Sequence, residues 1–148
     1  MTTGLHGCAP QDSLAQAAQA MWDTDCGALP VVEGGKVVAM VTDRDICMAT
    51  CFAGRPPTEL RVVDAMSKQL LSCGPDESLA SVLSTLRTYR LRRLPVVGPG
   101  GELLGLVGQA DVLRWLRKHS QREAAQAVLD ALADVSSPPS RPIPMPPD

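Results

Sequence analysis

Shifted against itself by 65 positions, the chain lays Asp12-Ser13-Leu14-Ala15 over Glu77-Ser78-Leu79-Ala80 and Leu29-Pro30-Val31-Val32 over Leu94-Pro95-Val96-Val97. One extra residue in a glycine-rich turn raises the offset to 66. Val37-Val38-Ala39-Met40-Val41 then falls on Leu103-Leu104-Gly105-Leu106-Val107, and Asp45-Ile46 on Asp111-Val112. An ordered internal repeat restricts the fold more than any average property, because each copy must build the same supersecondary unit. At 148 residues the chain fits one domain, or two small repeats sharing a core.

Within each copy the periodicities give the order helix, strand, turn, strand, helix. Leu14, Ala17, Ala18 and Met21 recur at i, i+3, i+4 and i+7, which predicts an amphipathic helix from about Ser13 to Trp22 capped by Asp12 or Ser13. Leu79, Val82, Leu83 and Leu86 repeat the stripe behind Asp76 and Ser78. Ala28–Val32 reads as a strand, and Pro30, like Pro95, belongs at a strand start or edge because proline donates nothing to a ladder. Glu33-Gly34-Gly35-Lys36 and Gly98-Pro99-Gly100-Gly101 read as hairpin turns, so each strand pair is antiparallel. A second helix runs from Asp43 to about Phe52 and stops at Gly54-Arg55-Pro56-Pro57. Its counterpart begins at Gln109 or Ala110. A short strand fits near Thr3–Leu5. The expected segmentation is repeat one over 1–57, repeat two over 58–119, a helical extension over 120–135 and a disordered or polyproline tail over 136–148, rich in proline.

The stretch from Val37 to Asp45 concentrates the chemistry. Five apolar residues form a strand, and Thr42-Asp43-Arg44-Asp45 follows at the mouth of a helix. Thr42 stands at an N-cap position with Asp45 three residues later, the spacing of a capping box. The same corner can bind an anion, since the first helical amides lack intrahelical partners and carry partial positive charge. Thr42 and Asp45 therefore serve either as a plain cap or as contacts to a phosphate and to hydroxyls such as a ribose diol. The corner occurs twice, which favours the second role. Arg92 and Arg93, just before the second repeat's strand, either lie over the core and pair with an acid of repeat one, or meet a phosphate.

Composition excludes several classes. A formal charge of −2 argues against a generic nucleic-acid binder. The charge is uneven: residues 1–50 carry −4 and residues 76–119 carry +3, so a local basic site for an anionic small molecule is expected. No apolar run approaches the roughly 18–20 residues of a membrane span, and Met1–His6 lacks a signal-peptide pattern. A cytoplasmic protein with no membrane partner is expected. Apolar residues make up 45% and aromatics only 3%, so the core is aliphatic. Five cysteines (Cys8, Cys26, Cys47, Cys51 and Cys73) form no C-x-x-C pair and are expected to be buried free thiols. Cys47 and Cys51, four apart on a helix, can instead share a face and grip a soft metal. No nucleophile triad, P-loop or H-E-x-x-H motif is present, so no enzyme activity is expected.

Val63-Asp64-Ala65-Met66-Ser67, Pro75-Asp76-Glu77-Ser78-Leu79, Arg92-Arg93-Leu94-Pro95-Val96-Val97 and Leu103-Leu104-Gly105-Leu106-Val107 followed by Asp111 together resemble a cystathionine-β-synthase (CBS) domain. Val38-Ala39-Met40-Val41-Thr42-Asp43-Arg44-Asp45-Ile46 resembles the matching stretch of a first copy, and the tandem resembles a Bateman module over about residues 3–118. The resemblance implies an α+β (α/β-like) fold of two β-α-β-β-α units related by a pseudo-two-fold axis. It also implies a stand-alone regulatory module that senses an adenosine nucleotide (AMP, ADP or ATP) in the cleft between repeats. Carried over by position, Thr42 and Asp45 match the family's Thr/Ser-x-x-Asp contact to phosphate and ribose, with Arg44 between them. Ala28, Leu29, Pro30 and Val31 supply the wall beside the base, and Arg93 and Asp111 belong to the second copy. Gly108-Gln109-Ala110-Asp111 keeps the carboxylate without the hydroxyl, so the first site is the stronger one. A homodimer is expected, because each module leaves helix faces exposed and Ala124 to Leu132 add an apolar stripe outside the repeat, with an effector protein that the sequence does not name. The alternative is a module with empty clefts whose function is interaction and dimerisation.

Overall fold

The computed structural model describes residues 7–119 together with 126, 129, 130, 133 and 134. The expected strand at Thr3–Leu5, the tail over 136–148 and most of the extension over 120–135 lie outside the described residues. Helix α1 spans Leu14–Asp23. Ser13 caps it in a capping box with Gln16: Gln16 N–H donates to Ser13 Oγ at 3.2 Å, and Ser13 N–H to Gln16 Oε1 at 2.9 Å. Leu14, Ala17 and Met21 are its buried residues, on the predicted stripe.

Strands β1 (Ala28–Glu33) and β2 (Lys36–Thr42) pair antiparallel, with Ala28 opposite Thr42 and Val31 opposite Ala39. Gly34 and Gly35 both hold positive φ, +57° and +78°, which gives the two-residue turn that matches strand twist. Leu29 and Val31 on β1 and Ala39 and Val41 on β2 share the inward face and join Leu14, Ala17, Met21 and Ile46 in one aliphatic core. Each large side chain fully removed from water there contributes roughly 1.5–3 kcal/mol. Helix α2 (Asp43–Ala53) follows β2 without a loop and ends at Gly54.

Helix α3 is a single turn, Val62–Ala65. Leu60 and Val62 pack into the first repeat's core. Leu14 N–H donates to Leu60 O, and Val62 N–H to Asp12 O, both at 2.9 Å. Helix α4 (Leu79–Thr88), strands β3 (Arg93–Val97) and β4 (Leu103–Gly108) and helix α5 (Gln109–His119) then repeat the order. The pairing of β3 with β4 copies that of β1 with β2 residue for residue, from Arg93 opposite Gly108 to Val96 opposite Gly105, with a bulge at Val96/Val97 where the first hairpin has one at Val31/Val32.

Among the described residues, one parallel bridge precedes each repeat's first helix, Cys8 with Val31 and Cys73 with Val96. Cys8 N–H donates to Pro30 O, and Cys73 N–H to Pro95 O, each at 3.0 Å. A strand residue directs its carbonyl and nitrogen to the same side, so each proline's missing N–H faces the cysteine and costs the hairpin no rung. Pro30 is accordingly tolerated three residues into β1, not only at its start.

The chain divides into two compact units, Met1–Glu77 with Arg93–Gly108, and Ser78–Arg92 with Gln109–Asp148. Within the first, Val37 N–H donates to Gly101 O at 2.9 Å. Within the second, Val82, Leu83, Leu86 and Val112 are buried, and Arg87 of α4 pairs with Asp134.

Candidate functional site

The site is built where β2 becomes α2. Thr42 is in extended conformation, φ −118° and ψ 162°, and caps α2. Asp45 N–H donates to Thr42 Oγ1 at 3.2 Å. In return Asp45 Oδ2 accepts from Thr42 N–H at 2.9 Å and from the Thr42 hydroxyl at 2.7 Å. The other two leading amides of the helix are also occupied. Asp43 N–H donates to Gly27 O at 3.2 Å, and Arg44 N–H to Asp43 Oδ1 at 2.7 Å. The corner is therefore not a vacant anion cradle. Its amides are satisfied internally, and Asp43 and Asp45 add negative charge where the helix dipole is positive.

What remains is a set of acceptors. Thr42 Oγ1 has donated its hydrogen and accepted one, and keeps a lone pair. Asp45 Oδ1 takes no part in the box. Two acceptors side by side suit two hydroxyl donors. A phosphate, which accepts, has to be met by Arg44, which is exposed and has no carboxylate within ion-pair distance among the described residues.

The expected site residues fall into three groups. Ala28, Thr42 and Asp45 come together, because Ala28 lies directly across the hairpin from Thr42. Leu29, Pro30 and Val31 are almost fully buried, and Leu29 and Val31 belong to the core cluster. Arg93 is half-buried opposite Gly108 at Ala28's equivalent position, and its guanidinium makes no ion pair or hydrogen bond with the described residues. Asp111, in the second unit, has Oδ1 held by Arg114 Nη2 at 2.8 Å. Beside it, Gln109 Nε2 is buried without a partner, the one such side-chain atom among the described residues.

Two residues of the corner carry no motif in the sequence. A Cβ on Gly27 would stand 2.9 Å from Asp43 Oδ2, the outer end of a side chain, and the loop before β1 is tied to the start of α2 by Asp43 N–H donating to Gly27 O at 3.2 Å. Next to this contact lies a recess of about 330 Å³ lined by Ala18, Met21, Trp22, Asp25, Cys26 and Asp43 as well as Gly27. The spacing Gly27-x15-Asp43 matches no local signal, and only the closed hairpin makes the two neighbours.

The cysteines depart from expectation. Cys8 and Cys73 are buried, but Cys26 is half-buried and Cys47 and Cys51 are exposed on α2. Burial, with Asp12 nearby, pushes the Cys8 thiol up to about 11, and burial followed by Glu77 raises that of Cys73. No group of three or more His, Cys, Asp and Glu is placed to hold a metal ion among the described residues. No helix among them is long and apolar enough to cross a membrane.

Comparison with known proteins gives a consistent result. The family model for the CBS domain matches residues 1–50 and 62–118. The CBS domain-containing protein YhcV of Bacillus subtilis is 36% identical over 112 residues, covering 76% of this chain and 79% of its own. Among solved structures, Hypoxic Response Protein I with two coordinated zinc ions superimposes with a TM-score of 0.70 at 29% identity, over 77% of this chain and 92% of that one. CBSX2 in complex with AMP gives 0.71 at 24% identity, over 82% and 95%.

Proposed function

The chain belongs to the CBS domain family as a tandem pair, and from that premise we propose that it is a regulatory sensor, not an enzyme, binding an adenosine nucleotide (AMP, ADP or ATP) at the Thr42–Asp45 corner. The acceptor pair of Thr42 Oγ1 and Asp45 Oδ1 carries the reading. A ribose 2′,3′-diol presents two donors to it, Arg44 meets the phosphate, and Ala28 lies on the base side. The likeness to AMP-bound CBSX2 supports the fold; the ligand class rests on the corner. In repeat two, the lost hydroxyl and the Arg114–Asp111 pair leave a weaker site.

Titration calorimetry with AMP, ADP, ATP, S-adenosylmethionine and NAD tests the proposal, since all five carry the adenosine ribose. Asp45→Ala should weaken binding by roughly 1.5–3 kcal/mol, the range for hydrogen bonds to a charged group. That is about 10–150-fold. Asp111→Ala should change affinity far less. Equal small effects from both would favour the second reading, an interaction and dimerisation module with empty clefts. That alternative has an observation behind it: Thr42 and Asp45 already satisfy each other as a capping box.

The proposal includes a homodimer acting on an effector protein. Trp22 is 83% and Phe52 66% exposed in the single chain, more than large aromatics ordinarily show. Sedimentation at tens of micromolar, an order-of-magnitude choice well above stable-dimer dissociation constants, should show two copies. A monomer there would remove dimerisation from the proposal.

A further inference from the structure

Helix α2 carries sulfur on one outward patch. Cys47 and Cys51 are four residues apart and Met48 and Cys51 three apart, the spacings at which helical side chains are neighbours. The inward side of the helix is held by Ile46, which is buried, while Cys47 and Cys51 are exposed and Met48 is 37% exposed. Free cysteine is among the most buried residue types, so two exposed on adjacent turns are not explained by packing. The buried pair Cys8 and Cys73 shows the contrast, since each is built into a strand bridge.

The spacing also selects the chemistry. Neighbouring Cβ atoms at i,i+4 lie roughly 5–6 Å apart, whereas a disulfide needs about 3.5–4.5 Å. Direct oxidation to an intrahelical disulfide is therefore strained. A metal roughly 2.3 Å from each of two sulfurs spans the gap without moving the backbone. A structural zinc site takes four ligands, commonly cysteine and histidine, and no third cysteine, histidine or carboxylate joins this pair among the described residues. Two thiolates and a thioether are the soft, low-coordinate set that suits Cu(I).

We propose that Cys47, Met48 and Cys51 form a surface site for one soft monovalent cation, of which Cu(I) is the natural probe. Binding releases the two thiol protons and joins the ion to both sulfurs, with the Met48 thioether as third donor and no electron transferred. The full chain, reduced and kept anaerobic, is titrated with Cu(I) buffered by the chromophoric chelator bathocuproine disulfonate. It should withdraw one Cu(I). The double variant Cys47→Ser/Cys51→Ser should lose more than the roughly 10–100-fold that supporting partners of a metal site cost. Met48→Leu should weaken binding to a smaller degree, and Cys26→Ser should leave it unchanged. All these positions are at least partly exposed, so thermal melts should show the variants folded. Undiminished binding in the double variant overturns the site, as does failure of the wild-type chain to compete with the chelator. Equal or tighter retention of Zn(II) by the same three residues overturns the soft-ion assignment.

Discussion

The two cysteines Cys8 and Cys73 show how one side chain can be set by a contact remote in sequence. Each sits 22 residues before a proline and gives its amide to that proline's carbonyl. Their thiols are raised because burial penalises the charged form. The folded chain therefore disfavours the thiolate more than the unfolded chain does. The stabilisation is fully present below the unfolded thiol's pKa, and for Cys8 it is lost as pH rises from about 9 toward about 11. Urea melts over that interval should show falling stability, and Cys8→Ala should flatten the slope. In native protein near pH 8, a disulfide-exchange reagent should label Cys47 and Cys51 rapidly, and Cys8 and Cys73 only on unfolding. Fast labelling of Cys8 would contradict the burial described. The sequence pairs Cys47 with Cys51 by spacing but expects all five thiols to be buried; burial, which separates them, depends on what packs above each one.

At the scale of elements, both amphipathic helices leave by the same device. Asp25 and Arg90 hold positive φ, +49° and +52°. Cys26 N–H reaches back to Met21 O and Leu91 N–H to Leu86 O, which closes a Schellman motif after α1 and another after α4. Glycine is the usual residue there. Replacing Arg90 by glycine should relieve strain and raise stability by up to about 1 kcal/mol, and Asp25→Gly by less, because aspartate tolerates the left-handed region better. Chemical denaturation of the two variants checks the order. The periodicity placed the end of α1 at about Trp22 but named no residue for the turn. The structure uses Asp25 for it, and Gly27 follows as the acceptor of the Asp43 N–H. By contrast, the cap at Ser13, the box at Thr42–Asp45 and the start of α5 at Gln109 were legible, because a cap needs only residues within one turn.

Across the whole chain, the repeat is kept in register but not in packing partners. The β3–β4 hairpin groups with the first repeat as one compact unit, while α4 and α5 fall in the other. Leu60 and Val62, in the segment expected to open repeat two, are 7% and 0% exposed and belong to the first core. Leu60→Ala should therefore cost about 2–5 kcal/mol, as for a buried leucine, where a true linker residue would cost almost nothing. A thermal melt of the variant distinguishes the two. If the melting temperature is unchanged, the segment does not complete the core.

The sequence alone determined the repeat, the order of helices and strands, the antiparallel pairing at the two glycine turns, and the capping pair at the candidate site. Each of these is written in neighbours or in periodicity, and both survive in a linear string. Only the tertiary structure decided that Leu29 and Val31 are buried in the first repeat's core, that Gly27 closes on Asp43, and that Cys47 and Cys51 are exposed while Cys8 and Cys73 are not. It also decided that the corner at Thr42–Asp45 offers acceptors in place of free amides. The physical reason is common to all four: burial and hydrogen-bond occupancy depend on which distant atoms arrive, and a local pattern fixes a side chain's direction without fixing what it meets.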